Sequence, residues 1–248
     1  MMPPAAVRAV YIVPKDAQPW SEARVRVTQA VEDIQRFISH EMTRTGQGER
    51  TFRIAREPDG LIHFRTLHAT SYLKAQFQQG RATALHLCGR VAGPPDLTYA
   101  EIFLVEAYSI RNGEVTGDIA GYSKRRACVS SLHLKVAFRE WLHRDDDFFG
   151  QIFPWISPEP ILKWKHREGF QLGDVAGAGF GTIAHELIHC FGPDNHNGKK
   201  DNETKYEDVM GTGFRRMRKF LQGGDTVGSC VLSQRAAEIM SKNLPDAD

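Results

Sequence analysis

At 248 residues the chain is long enough to bury one substantial core, or two lobes that share a cleft. Its formal net charge of +2 gives no electrostatic reason to expect nucleic acid or an anionic membrane as a partner, and it has no run of about 20 apolar residues to span a bilayer. The opening Met1-Met2-Pro3-Pro4 lacks the basic stretch and apolar run of a signal peptide, which points to an intracellular protein or to one whose export signal and pro-segment lie outside this chain.

Residues 7–13, apolar, rich in β-branched side chains and closed by Pro14, read as a first strand. Ser21 can cap a helix whose inward face is Val27, Ala30, Val31, Ile34, Ile38 and Met42, at spacings of three and four, with its end near Gly46. Residues 51–55 and 61–66 flank Pro58-Asp59-Gly60 and read as a hairpin. A short helix is expected over 70–79, and strands over 82–88 and 99–107, the second strongly apolar. Asn112-Gly113 marks a turn, and the weak alternation of 127–134 suggests a further strand. Asp145-Asp146-Asp147 lacks the spaced ligands and the glycine of a calcium loop, and reads as solvated loop. Ser233 caps a final helix over 234–242, closed off before Pro245. No internal repeat or low-complexity linker interrupts this order. Strands and helices mixed early, then one buried helix, then a loop-rich end, give an α+β fold class.

The buried helix carries the chemistry. His185-Glu186-Leu187-Ile188-His189 places two histidines four apart, on one face of a helix and one turn above one another. A single Zn²⁺ can bind both imidazoles, with Glu186 beside it to take a proton from water. Three fixed residues are few, so the context matters. The residues before the motif, 173–184, are rich in small and apolar side chains, with Phe180, Ile183, Leu187, Ile188 and Phe191 in and around it. Apolar residues on several sides mark a helix that is buried, where two histidines and a carboxylate are costly unless paired or bound to metal. Gly192 can take the left-handed conformation that ends a helix and Pro193 cannot continue it, so a third ligand can come from the loop that holds Asp194 and His196.

His185-Glu186-Leu187-Ile188-His189-Cys190-Phe191-Gly192, a histidine shortly after it, and the downstream Val209-Met210-Gly211 resemble the metzincin clan of zinc metallopeptidases, whose pattern is H-E-x-x-H-x-x-G-x-x-H followed by a methionine turn. The opening Val10-Tyr11-Ile12-Val13-Pro14 and the Met-Gly-x-Gly-Phe-Arg segment resemble a group of metallopeptidases in bacteria and fungi. The clan's third ligand falls at Asn195, a poor zinc ligand. His196 lies one place later and Asp194 one place earlier. Neutral imidazole suits zinc in a three-histidine site and loops accept single insertions, so His196 is preferred and Asp194 is the alternative. Glu203 or Glu207 ranks last, because 195–202 is rich in Gly, Asn, Asp and Lys and reads as loop rather than as a second helix. The resemblance implies a twisted sheet and the active helix in an N-terminal lobe over about 1–192. It further implies a small C-terminal lobe over about 193–248, a cleft between the two, and Met210 as an apolar floor beneath the ligands.

The reading that follows is a single catalytic domain over 1–248, a zinc endopeptidase with one Zn²⁺ held by His185, His189 and His196, with Glu186 as general base and then acid. The expected partner is a peptide or protein substrate. Tyr206, near the methionine turn, is a candidate donor to the oxyanion. A zinc hydrolase of a non-peptide bond and a binding protein of the same fold are the other classes the motif admits. Cys88, Cys128, Cys190 and Cys230 are too widely spaced for a cysteine zinc site or a dense disulfide scaffold, and read as unpaired buried thiols. Arg215, Arg216, Arg218 and Lys219 read as a solvated face whose stems cover the core. His133, His143 and His166 have no partner at metal spacing.

Overall fold

The computed structural model describes residues 6–111, 114–145, 171–194, 207–224 and 230–245. Its centre is β1 (Ala6–Pro14), a strand buried along almost its whole length. Both its edges are paired in parallel, with β2 (Phe64–Ala69) on one side and β3 (Tyr99–Val105) on the other. Beyond β3 come β7 (Arg126–Ser130), also parallel, and β6 (Ala120–Ser123), antiparallel at the edge, giving the order β2-β1-β3-β7-β6.

The pleat divides the core in two. Val7, Ala9, Tyr11 and Val13 of β1 with Ile102 and Leu104 of β3 enter one apolar cluster; Val10 and Ile12 with Phe103 and Val105 enter the other. Helix α1 (Ala23–Arg44), α4 (Ser131–Val136) and the long α5 (Leu172–His189) cover the first face. α2 (Lys74–Phe77) and α3 (Arg81–Ala92) cover the second. A sheet covered on both faces explains why β1 and β3 read as near-continuous apolar runs, interrupted only by Arg8 and Glu101, which pair with each other at 2.6 Å. β4 (Ser109–Arg111) and β5 (Glu114–Thr116) form a separate antiparallel pair, placed as strands flanking Asn112-Gly113 should be; those two residues lie outside the described ones.

α1 buries every residue assigned to its inward face, and α7 (Gln234–Ser241) is capped as expected, with Ser233 accepting from the Ala236 N–H. Ser21 does not cap α1, which begins after Glu22 without a side-chain cap, and three further elements differ from expectation. Residues 82–88 are helical, within α3: the buried set Ala84, Leu87 and Cys88 follows helical spacing, which a short apolar run does not separate from a strand's. The hairpin at Pro58-Asp59-Gly60 keeps its turn, with Gly60 at φ +80° and an Arg56–Ile62 bridge, but its arms are captured by β1. Ala55 N–H donates to Val7 O at 2.9 Å, and β2 joins the parallel ladder further along the same edge of β1. The strand expected over 127–134 stops at Ser130, whose hydroxyl accepts from Leu132 N–H and starts α4.

Two features fix α5 in place. Gly173, Gly177 and Gly181 recur every fourth residue and so lie on one face, where the chain after Gly213 lies directly against the helix. A Cβ on Gly177 would sit 2.6 Å from Arg218 N, and one on Gly181 would land on the Phe214 carbonyl. On another side, Gly179 lets His133 O of α4 approach. Arg215, Arg216 and Lys219 are exposed as expected, but Arg218 turns inward: it donates to Leu142 O at 2.8 Å and pairs with Asp145 and Asp174 at 2.5 and 3.3 Å. Val209, Met210, Leu232, Ala236 and Met240 share the apolar cluster of α1 and α5. Buried Glu41 of α1 also holds this region, accepting from Leu232 N–H at 2.6 Å.

Candidate metal centre

α5 brings His185, Glu186 and His189 together at its C-terminal end, with ligand atoms all within 4.8 Å of one another. Each imidazole is oriented by a backbone carbonyl. His185 Nδ1 donates to Val209 O at 2.7 Å and His189 Nδ1 to Pro193 O at 2.6 Å. A carbonyl can only accept, so both Nδ1 atoms carry a proton and a neutral ring then has its lone pair on Nε2. Those two Nε2 atoms face each other at 3.3 Å. Two ligands at about 2.0–2.1 Å from zinc, at a tetrahedral angle, lie about 3.3–3.4 Å apart. Two lone pairs at that separation repel unless a cation sits between them, so the donor set fits zinc in chemistry and in spacing.

Glu186 completes the cluster. It is buried, and its Oε2 has no hydrogen-bond partner among the described residues. Burial pushes its carboxyl up to about 7, opposed by the charge of Arg81; a cation at the two imidazoles would act in the same direction as Arg81.

The helix ends as its sequence dictates, with Gly192 at φ +110° and Pro193 next. The carbonyl that orients His189 belongs to that same Pro193. Asp194, the alternative third ligand, accepts from Tyr122 OH at 3.2 Å through Oδ1 and stands outside the gathered ligand group, as does Glu207. His196, Glu203 and Tyr206 lie outside the described residues. Met210 is buried in a tight turn in which Asp208 O accepts from the N–H groups of Gly211 and Gly213, both at 2.9 Å. The neighbouring Val209 supplies the carbonyl for His185, and the Phe214 ring lies tilted against His185 at 5.2 Å.

Several groups at this centre have no signature in the sequence. Tyr122 of β6 stacks on His189, ring centroids 3.6 Å apart and planes within 16°. Arg81 at the start of α3 and the two carbonyls are likewise brought in by the fold. Cys190, beside His189, is buried with its thiol pushed up by burial and is free, as are Cys88, Cys128 and Cys230. His133 and His143 stand apart from the cluster.

No protein-family model matches the sequence, and neither does any curated protein. Among solved structures the chain is similar to OgpA from Akkermansia muciniphila. The catalytically inactive form of OgpA, in complex with an O-glycopeptide (glycodrosocin) substrate, matches with a TM-score of 0.60 at 16% identity, over 97% of this chain and 60% of that one. Wild-type OgpA matches with a TM-score of 0.57 at 17% identity, over 97% and 61%. Archaemetzincin from Methanopyrus kandleri aligns over 98% of both chains at 13% identity, but with a TM-score of 0.41 that likeness carries no weight. The chain thus spans about 60% of the length of OgpA and shares the fold of the part it matches.

Proposed function

We propose that this chain is a zinc-dependent peptidase that cleaves within peptide or protein substrates. In this reading His185 and His189 hold the metal, with His196 as third ligand from beyond the helix end, and Glu186 moves the proton. The observation that carries it is the pair of Nε2 atoms 3.3 Å apart, each ring oriented by a carbonyl, beside a buried carboxylate oxygen with no partner among the described residues. The shared fold with OgpA, which takes an O-glycopeptide as substrate, supports a peptide over other substrates.

Bound zinc would supply Lewis acidity there, making a water acidic near neutral pH and a scissile carbonyl electrophilic. Glu186 takes the proton from the attacking water as its oxygen bonds to the carbonyl carbon. It returns that proton to the amide nitrogen as the C–N bond breaks, serving as base and then acid. Val209 O and Pro193 O fix the tautomer of both imidazoles throughout. Met210 serves as the apolar floor, and the substrate lies in a cleft between the chain before and after Gly192.

Elemental analysis tests the metal. Wild type should hold one zinc, His185→Ala should lose it, and His196→Ala should lose far more than Asp194→Ala. Equal zinc in wild type and His185→Ala would sink the reading. Glu186→Gln should keep the metal and the fold while peptide cleavage falls by about 10²–10⁴ or more. Cleavage that survives Glu186→Gln would mean another mechanism.

A further inference from the structure

Helix α5 delivers His189 to the metal position, but the ring's plane is set by groups from elsewhere in the fold. Tyr122 sits on the edge strand β6, opposite Ala127 of β7, and follows Gly121, against which α3 packs closely: a Cβ there would meet Arg81 Cβ at 3.2 Å. Its backbone is therefore held from two sides. Its side chain is not core packing, since Tyr122 is only half-buried and belongs to neither apolar cluster. It lies instead flat against the imidazole of His189, 3.6 Å away, while its hydroxyl donates to Asp194 Oδ1 at 3.2 Å.

These contacts close a ring. Tyr122 covers a face of His189; His189 Nδ1 donates to Pro193 O; Asp194 is the next residue; and Asp194 accepts from the Tyr122 hydroxyl. We propose that Tyr122 is a positioning residue for the metal ligand His189, holding the imidazole plane with its ring and the orienting Pro193 carbonyl with its hydroxyl. The proposal rests on the zinc reading above. Chemistry favours the bound state. Two neutral rings stacked face to face gain little, because their electron-rich faces repel. An imidazole that has given its lone pair to a cation is electron-poor, and the phenol face then attracts it as it would a cation.

The test is zinc affinity by chelator competition, with the visible spectrum of the Co²⁺-loaded protein as a reporter of ligand geometry. Tyr122→Leu removes both contacts and should weaken zinc binding about 10–100-fold and shift the cobalt bands. Tyr122→Phe keeps the stack, loses the hydroxyl, and should recover most of the affinity and the wild-type bands. The metal-free Tyr122→Leu protein should unfold at the wild-type temperature, because the residue lies outside the core. Tyr122→Leu that binds zinc within twofold of wild type, with unchanged cobalt bands, overturns the proposal and leaves the metal reading intact. A loss of zinc that merely tracks a destabilised metal-free fold overturns it too. Zinc retained by His185→Ala overturns both together.

Discussion

Helices α1 and α5 lie on the same face of the sheet and are held there by opposite means. Half of α1's 22 residues are buried, and its contact face is built of Val27, Val31, Ile34, Phe37, Ile38 and Met42. Of α5's 18 residues, 15 are buried, and four of the 18 are glycine. α1 stabilises by the bulk it withdraws from water, at about 25 cal/mol per Å² of apolar surface. α5 gives up helix propensity, about 0.5–1 kcal/mol per glycine relative to alanine, and in return lets backbone approach backbone along the Gly173, Gly177 and Gly181 face. The chain brought close by that face runs from Gly213 to Arg218, directly after the turn whose Val209 carbonyl orients His185. Close packing on α5 is therefore coupled directly to the segment that touches His185, whereas α1 reaches that region only through the shared apolar cluster and the bond from Leu232 N–H to Glu41.

Gly181→Ala breaks this most directly. The added methyl would coincide with the Phe214 carbonyl, and the obstacle is backbone rather than the flexible end of a side chain. Overpacking usually costs about 1–3 kcal/mol and sometimes more; here we expect about 3 kcal/mol or more, since the 213–218 segment must move off the helix. Phe214 packs on His185, so zinc affinity should fall with stability. Denaturant unfolding and chelator competition measure the two. A variant as stable as wild type would show that the segment yields freely and that the glycine face has no such role.

The contrast also shows what the sequence could reveal. α1 and α7 were legible because one face of each repeats at helical spacing and a serine caps the start of α7. His185, Glu186 and His189 were legible because all three lie within one and a half turns, so that chemistry and local geometry coincide. Residues 82–88 read as a strand because Ala84, Leu87 and Cys88 form too short a set to fix a period. The arms around Pro58-Asp59-Gly60 read as a hairpin because the turn is a local signal, but one edge of the buried strand β1 takes both arms in succession. The small residues of 173–184 were visible, but their meaning depends on a segment more than thirty residues away, for which no pattern within the helix provides. Tyr122 left no trace: β6 pairs it with β7, β7 packs under α5, and only that register sets its ring on His189. Carbonyls such as Val209 O and Pro193 O carry no residue-type signal at all.

On α1 the complementary change removes one methyl. Ile34 is fully buried in the cluster shared by α1 and α5, so Ile34→Val should cost about 1 kcal/mol, within the 0.5–1.5 usual for this substitution. Zinc affinity should match wild type, because the substitution removes one methyl without adding an obstacle and Ile34 takes no part in the hydrogen bonds that orient His185 and His189. A zinc defect in Ile34→Val as large as that of Gly181→Ala would remove the distinction between the two helices.

The smallest effect isolates the glycine itself. Gly89 lies within α3, on the opposite face of the sheet, at a backbone conformation open to any residue. A Cβ there meets only Arg126 Nη1, at an ordinary van der Waals distance of 3.7 Å. Gly89→Ala is thus the same chemical change as Gly181→Ala with the obstacle taken away. What remains is the backbone freedom that glycine retains in the unfolded chain, and restricting it should stabilise the protein by about 0.4–1 kcal/mol. Opposite signs for one substitution in two helices would assign the cost on α5 to the approaching chain and not to glycine's own properties. If Gly89→Ala instead destabilises, the contact with the Arg126 guanidinium, and not glycine's freedom in the unfolded chain, decides the sign. The ion pair of Arg126 with Glu101 at 2.7 Å, and its bond to Gly93 O at 2.9 Å, would then be the rigid elements on that face.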